Sequence, residues 1–525
     1  MANQTNTFNS NFLTFHDNGP WRVNRIVRIE HDVEIIGKFS KYQDSTDEIM
    51  NILREALDGG LGARPYGSTW SMNDVAHHPQ IMIHNSSLNV LYTPDSSDLT
   101  NSSYHPNDLL FAECGTTIME INRYLMRRRR SLKTSGASNG QTIAGAISTG
   151  VHGSAIDVGS IQDSVVGLHI IRGPQDSVYI QRASDEVVSQ SFLNKVGAVA
   201  RITNDDLFNA ALVSMGAFGF IKGVMINVEK RYLLKRYVKE IAPDIALDLA
   251  ESFDFENSSF FVDDPNSPGL KNTRPYHYKL YINPYRRTDP FRCEIIFKQR
   301  YRTDYKDPVP VINNSIYRDL TSWLAWFSDR HQNAIPKLVE LLKGDVFPDL
   351  DHDCEGTLGE IFNRTLHRGK AFGCAMAIPK DRSRDALTIL YNVIDDHGAI
   401  PGIASMRFVP KSKAMLAFTK HQMNCILEID GVWWNDKELA AFMNSWRSKM
   451  DRSNIPYAFH WGKNADWKSM DLSSPQIFGD DINQWRDIRA SFFNHDSANM
   501  DLFNNEFISR LHLDDLDISP SEAIS

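Results

Sequence analysis

Two stretches rich in glycine and hydroxyl side chains carry the main chemical signal of this 525-residue sequence. The first is Gly67–Ser71 ("GSTWS") and the second is Ser135–Ser154 ("SGASNGQTIAGAISTGVHGS"). Glycine allows a close approach of the backbone, and successive backbone N–H groups in turns form concave sites for anions. We therefore predict that the two stretches together clamp a pyrophosphate. Each stretch alone is equally compatible with a tight packing corner.

Other classes of site find little support in the sequence. It has no GxxxxGK[ST] phosphate loop, no GxGxxG opening a helix after a strand, and no HExxH zinc motif. The five cysteines are widely spaced and include no CxxC pair, which favours buried thiols over a disulfide framework or a metal site. The net charge of −9 argues against nucleic acid as a partner. The basic run Arg127–Arg130 is interpreted as a solvated helix end, with an anionic ligand as the alternative.

Helices and strands alternate around the two stretches, which predicts an α+β fold. Ser45 with Glu48 and Thr117 with Glu120 have the spacing of capping boxes, so we expect a helix to begin at each pair. A single extended strand is predicted over residues 217–241, where β-branched and aromatic residues alternate with polar ones. One long helical stretch is predicted over residues 316–343.

Beyond residue 240, several strands separated by helices predict a second domain, built as one sheet covered by helices. The expected organisation is a polar leader at 1–34, a first domain at 35–240, a second domain at 241–465, and a C-terminal segment at 466–525 that packs back toward the first domain. No stretch approaches the ~20 apolar residues of a membrane helix, and the N-terminus lacks the pattern of a secretory signal. A cytoplasmic protein is therefore expected.

At the two glycine-rich stretches the sequence resembles the flavin-binding domain of the vanillyl-alcohol oxidase superfamily, which has the p-cresol methylhydroxylase (PCMH) fold. Within it, the sequence is most similar to the sugar-lactone and alditol oxidases. "ARPYGSTWS" sits where that family has an arginine-containing strand followed by G-S-G-H-S, and "GQTIAGAISTGVHGS" matches Q-T-V-A-G-A-L-S-T-G-T-H-G-T. "FHWGK" at 459–463 resembles P-H-W-G/A-K. The resemblance runs, in family order, over roughly residues 35 to 513.

The resemblance implies a PCMH-type FAD-binding domain made of two α+β subdomains, followed by a substrate (cap) domain. It places the pyrophosphate and the ring of FAD at the two loops, and Gly216, Gly219 and Val224 near the adenosine half. His152 is interpreted as a residue that orders its loop, with direct catalytic contact as the alternative. The cofactor-binding residues implied are Arg64, Gly67, Ser68, Thr69, Trp70, Ser71, Ser135, Gly136, Asn139, Gly140, Thr142, Gly145, Ser148, Thr149, His152, Gly153, Gly219 and Val224.

The sequence departs from the family pattern at two points. Many relatives attach FAD covalently through the histidine of G-S-G-H-S, and Trp70 stands there instead, so non-covalent FAD is predicted. The family's E-x-R pair is reduced to Arg407, because Ser405 replaces the glutamate. We therefore predict a smaller, less acidic substrate pocket. The alternative for Arg407 is a salt-bridge arginine on the surface of the sheet.

The implied activity is oxidation of a CH–OH group in a small polar substrate, such as a sugar lactone or a polyol, in the manner of a D-arabinono-1,4-lactone oxidase. Lys463 is expected to orient the substrate oxygen, Arg407 to bind substrate or to balance flavin charge, and His460 to act as acid or base. A structural ring bonded to backbone is the alternative for His460. The expected electron acceptor is O2, giving hydrogen peroxide. A dehydrogenase with another acceptor, a non-sugar substrate, or a non-catalytic flavin-binding protein are the alternatives.

Overall fold

The computed structural model describes residues 2–100, 103–306, 318–350, 353–362 and 369–515. In these ranges the chain forms three sheets and a two-stranded ribbon. The strands of the first sheet are β1 (Asn3–Phe12), β2 (Trp21–Glu30), β3 (Ala63–Tyr66) and β4 (Ile81–His84). Their order is β1-β2-β4-β3, and of these pairings β1–β2 alone is antiparallel.

The second sheet lies beside five helices. Its strands are β5 (Leu91–Tyr92), β6 (Leu109–Glu113), β8 (Val165–Gly173), β9 (Asp176–Gln181), β10 (Ala200–Thr203) and β11 (Phe220–Asn227), in the order β10-β9-β8-β11-β6-β5. The helices are α1 (Lys38–Asp58), α2 (Ile118–Arg127), α3 (Ile143–Thr149), α4 (Gln190–Val196) and α5 (Asp205–Leu212). The ribbon pairs β7 (Arg130–Ser131) with β12 (Glu229–Lys230).

The third sheet is the largest and belongs to the second half of the chain. Its strands are β13 (Tyr232–Ile241), β14 (His277–Ile282), β15 (Phe291–Arg300), β16 (Cys354–Gly356), β17 (Ala371–Pro379), β18 (Gly402–Pro410), β19 (Met423–Val432) and β20 (Ala458–Phe459). Their order is β16-β13-β15-β14-β18-β19-β17-β20. The accompanying helices are α6 (Pro243–Ser252), α7 (Arg318–Arg330), α8 (Ile335–Val346), α9 (Leu358–Ile361), α10 (Ser383–His397) and α11 (Asp436–Ser453).

The C-terminal segment contacts the first half of the chain through α12 (Asp481–Phe492), α13 (Ser497–Asp501), α14 (Glu506–Arg510) and the residues between them. The Trp485 indole donates to the Ala210 carbonyl at 3.1 Å, and the Arg489 Nε donates to the Ala217 carbonyl at 2.8 Å. Within the described ranges, every helix is too short or too polar to cross a lipid bilayer.

Three local predictions were wrong. Helix α1 begins at Lys38 rather than at Ser45, which lies in mid-helix and donates to the carbonyls of Lys41 and Tyr42. Residues 217–241 do not form one strand, because the chain leaves the second sheet after Asn227 and enters the third at Tyr232. The long helical stretch is divided at 332–334, just before Pro336, which cannot donate a helical hydrogen bond. Residues 316–317 of that stretch lie outside the described ranges.

The polar leader at 1–34 contains two strands, β1 and β2, that its composition does not predict. All side chains from Asn3 to Asn9 are exposed, so no buried face marks β1 in the sequence. Strand β1 is held by its backbone pairing with β2 and by the burial of Phe12 at its end. Such a strand lacks the alternation of apolar and polar residues by which strands are recognised in a sequence.

A buried ion pair joins β6, β11 and α1. The ammonium of Lys222 contacts the Glu113 carboxylate, and both side chains are fully buried. The same ammonium donates to the Ser45 hydroxyl at 2.8 Å, which explains why Ser45 lies in the middle of α1. Glu113 also accepts from the Val90 N–H at 2.8 Å and lies 2.8 Å from the His31 ring nitrogen. The pair therefore ties three elements of the first half together in the interior of the protein.

Lys222→Met is expected to lower the free energy of unfolding by about 3–5 kcal/mol, because Glu113 would keep a buried charge without its counter-ion. Lys449→Met provides the matched control. Lys449 pairs with Asp396 at the surface, and losing such a pair costs less than about 1 kcal/mol. Urea unfolding of both variants measures the difference. Equal midpoints for the two variants would contradict the importance given to the buried pair.

Candidate functional site

A cavity of about 850 Å³ lies between the first half of the chain and the third sheet. This volume is within the range of ~300–1,000 Å³ typical of cofactor and ligand sites. One end is lined by the two glycine-rich loops, and the other by side chains of the third sheet and of helices α7 and α8. The loop around Thr14 and His16, which joins β1 to β2, adds a further wall.

The first loop follows β3 and turns sharply. Thr69 has a φ of +59°, in the left-handed region. Within the described ranges, the backbone N–H groups of Ser68 to Ser71 donate to no protein acceptor. All of these residues line the cavity. The loop therefore presents a run of free donors to whatever the cavity holds.

The second loop passes from residue 135 into the short helix α3. The Ser135 hydroxyl donates to Asn139 Oδ1 at 2.9 Å, so these two side chains hold the loop in shape and do not line the cavity. The N–H groups of Gly136 and Ala137 find no acceptor among the described residues, and both residues line the cavity. The second loop thus offers free backbone donors to the same cavity as the first.

The two loops approach each other too closely for larger residues. A Cβ placed on Gly67 would lie 2.1 Å from the Thr142 hydroxyl oxygen, and one on Gly140 would lie 2.6 Å from the Trp70 ring. Within the second loop, a Cβ on Gly153 would lie 2.4 Å from the Ser135 carbonyl oxygen. Glycine is required at these positions by the space available.

Most of the residues assigned to the cofactor from the sequence line this one cavity. Those that do are Arg64, Gly67, Ser68, Thr69, Trp70, Ser71, Gly136, Thr142, Gly145, Ser148, Thr149, His152, Gly216 and Gly219. Five do not line it: Ser135, Asn139, Gly140 and Gly153 shape the loops from behind, and Val224 is a buried residue of β11. Arg64 is held by the carbonyls of Phe503, Val75 and Met215.

At the other end of the cavity, Lys463 pairs with Asp430. Its ammonium donates to Asp430 Oδ1 at 2.7 Å. Burial alone would lower the pKa of Lys463, but the carboxylates of Asp430 and Glu428 together outweigh it, so the pKa is raised and the lysine stays charged. Asp430 was not identified from the sequence, because a lone aspartate on a strand has no motif to mark it.

Arg407 also pairs with a carboxylate, that of Glu428. The two face each other across β18 and β19, with Arg407 Nε 2.8 Å from Glu428 Oε2. Ser405 is the direct cross-strand partner of Glu428 and donates to the same oxygen at 3.0 Å. Asp430, on the next strand, lines the cavity and supplies a carboxylate that the E-x-R position lacks, whereas Glu428 is buried beside Arg407 and does not line it. The smaller, less acidic pocket stays a prediction.

The histidines of the site have fixed hydrogen-bonding roles. The Gly462 N–H donates to His460 Nδ1 at 3.0 Å, so the neutral ring carries its hydrogen on Nε2. Burial lowers the pKa of His460 to about 3, and Lys463 adds to the effect. His152 donates from Nδ1 to the Gly153 carbonyl at 3.0 Å, consistent with a role in ordering its loop.

Two asparagines that the sequence did not single out join the two ends of the cavity. Asn73 donates to the carbonyls of Trp461 and Lys463, each at 2.8 Å. Asn464 donates to the Met72 carbonyl at 2.7 Å. These bonds hold the segment that carries Lys463 directly against the residues that follow the first loop. Side-chain amides bonded to distant backbone leave no pattern in a sequence.

Comparison with known proteins agrees with this geometry. Residues 42–178 match the family model described as FAD binding domain. The chain carries an FAD binding domain. This confirms the flavin-binding resemblance and the cofactor class, and the α+β fold is confirmed as well: the chain has a TM-score of 0.68 to cholesterol oxidase from B. sterolicum, at 12% identity and with 97% of each chain covered.

Two curated relatives extend the comparison beyond the FAD binding domain. D-arabinono-1,4-lactone oxidase of Candida albicans is 27% identical over 200 residues, or 36% of this chain and 32% of the relative. L-gulono-1,4-lactone dehydrogenase of Mycobacterium tuberculosis is 24% identical over 67% of this chain and 69% of the relative. The aligned region thus spans about a third of the length of the first of these relatives.

The residues of the cavity fit FAD. A pyrophosphate needs several donors in a confined space, and the two loops supply N–H groups that are free within the described ranges. Because the donors are backbone N–H groups, they do not depend on the conformation of any side chain. Ser68 to Ser71 and Gly136 to Ala137 would hold the pyrophosphate.

Gly67→Ala is expected to abolish retention of FAD, because its new methyl group would overlap Thr142. The measurement is the flavin absorbance of the purified variant relative to its protein absorbance. Gly269→Ala is the control, since a Cβ there meets no atom within 4 Å. Full flavin content in Gly67→Ala would show that the loops do not need their close approach.

Proposed function

We propose that this chain is an FAD-dependent oxidoreductase that oxidises a CH–OH group of a small polar substrate, such as a sugar lactone or a polyol. One observation carries the proposal. A single cavity joins the loops of the FAD binding domain to three charged side chains: Arg407 and Asp430 on the third sheet, and Lys463 just after β20. The names of the two lactone-oxidising relatives support the substrate class.

FAD, when bound, supplies the acceptor for the hydrogen and the two electrons of the C–H bond. The chain supplies the charges around the reacting group. Lys463 is a fixed cation beside the first loop, suited to orient the substrate oxygen. Arg407 is held in one orientation by two contacts with Glu428, so its remaining N–H groups can face the cavity.

The pairing of Lys463 and Arg407 with carboxylates favours a neutral substrate. Lys463 is paired with Asp430 and Arg407 with Glu428, so neither cation brings an uncompensated charge to the cavity. A carboxylate or phosphate on the substrate would have to compete with these internal partners. A lactone or polyol requires only hydrogen bonds, which paired ions still provide.

Non-covalent binding of FAD forms part of the proposal. Trp70 takes the position at which relatives have the linking histidine, and its ring stacks on Phe15 at 4.3 Å. An indole joined through carbon offers no basic nitrogen for a link to the flavin. Acid precipitation is therefore expected to release the yellow colour into the supernatant. Colour that remains in the pellet would contradict non-covalent binding.

We also propose molecular oxygen as the electron acceptor, with hydrogen peroxide as the product. The oxidase named among the relatives supports this acceptor, whereas the dehydrogenase supports another. A peroxide assay with sugar lactones and polyols, run beside an artificial electron acceptor, separates the two. Turnover with the artificial acceptor alone would replace oxygen in the proposal while leaving the oxidation of alcohols intact.

Lys463→Ala is expected to keep FAD bound but to slow its anaerobic reduction by substrate by about 100-fold, the typical cost of losing one fixed charge-stabilising donor. Stopped-flow absorbance measures this rate. Lys468→Ala is the control, because Lys468 is exposed on the same segment. A wild-type rate in Lys463→Ala would remove this residue from the mechanism, and a wild-type protein that no alcohol reduces would overturn the proposed function.

A further inference from the structure

Strand β19 carries two carboxylates that no sequence motif marks, Glu428 and Asp430. They are two residues apart, so they share one face of the strand. Their environments differ: the Glu428 side chain is 1% exposed, whereas that of Asp430 is 44% exposed and lines the cavity. Asp430 is thus the carboxylate of this strand that a substrate can reach.

The space around Asp430 is shaped for its pair with Lys463. A Cβ on Gly373, in the neighbouring strand β17, would lie 2.4 Å from Asp430 Oδ1 and 2.7 Å from Lys463 Nζ. The Lys463 ammonium engages Oδ1, and the exposed part of the Asp430 side chain lies in the cavity. The absence of a side chain at Gly373 therefore makes room for this ion pair beside the first loop.

An ammonium and a carboxylate held side by side match a hydroxyl group. The ammonium only donates hydrogen bonds and the carboxylate only accepts them, whereas a hydroxyl does both. The neighbouring histidines are less suited to accept a proton. His460 Nδ1 already accepts from Gly462, and His152, although it lines the cavity, is only 4% exposed and donates from Nδ1 to the Gly153 carbonyl.

We propose that Asp430 accepts the hydrogen bond of the substrate hydroxyl and then its proton. In this step the O–H bond breaks and its proton passes to an Asp430 oxygen. FAD, when bound, would accept the hydrogen of the C–H bond with both of its electrons, and the C–O bond would become a carbonyl. The carboxylate also disfavours an anionic substrate at this position. The inference rests on the proposed function and names the residue that performs its proton transfer.

The test is Asp430→Asn, which keeps the shape of the side chain and removes its charge. Anaerobic reduction of FAD by the best sugar lactone or polyol is expected to fall by about 100-fold or more, the usual contribution of a general base. Flavin content and reduction by dithionite are expected to stay unchanged. Asp395→Asn is the control, because Asp395 pairs with Arg287 on the surface of the same half of the chain.

A second readout separates a catalytic role from a structural one. Asp430→Asn is expected to narrow the preference for a neutral lactone over the matching sugar carboxylate by about 10-fold, since a like charge no longer opposes the anion. The inference would be overturned if Asp430→Asn reduced FAD at a rate within about 3-fold of the wild-type rate and kept the wild-type preference for the lactone. The inference would also be overturned if the rate of FAD reduction by substrate fell strongly in His152→Gln but not in Asp430→Asn. If no alcohol reduces the wild-type protein, the proposed function fails first, and the inference with it.

Discussion

The close approach of two backbone loops is the constraint on which the rest of the structure depends. Gly67 and Thr142 come together across a gap in which a single methyl group would overlap the threonine. The same loops carry N–H groups with no acceptor in the described part of the chain, at residues that line the cavity. The two loops of the FAD binding domain therefore offer backbone donors that suit an anion.

The charged side chains at the opposite end of the cavity depend on how that part of the chain is attached to the first loop. Asn73 and Asn464 bond across the boundary between the FAD binding domain and the third sheet, so Lys463 is fixed relative to the first loop. The cross-strand register of β18 and β19 sets Glu428 opposite Ser405 and so aims Arg407. Arg407, Glu428 and Asp430 are thus positioned by regular structure, and Lys463, which lies after β20, is held by its backbone bond to Asn73 and by its pair with Asp430.

The sequence was informative where function restricts residue type. Glycines and hydroxyls at the two loops predicted a phosphate site, and the structure brings these loops to one cavity. The Thr117–Glu120 capping box is confirmed at the start of α2. It was uninformative where a role depends on partners far along the chain. Glu428, on a neighbouring strand, supplies the carboxylate that is missing at Ser405. Ser45 accepts a hydrogen bond from the buried Lys222, which is 177 residues away in the sequence. Strand register and burial, which decide both, are properties of the folded chain.

The affinity for flavins of different length tests the central claim most directly. Protein freed of its cofactor would be titrated with FAD and with riboflavin, which has the same ring but no phosphate. If the free N–H groups of the two loops hold the pyrophosphate, FAD binds far more tightly than riboflavin. Equal affinity for the two would show that the ring alone is recognised, and would contradict the role assigned to the loops.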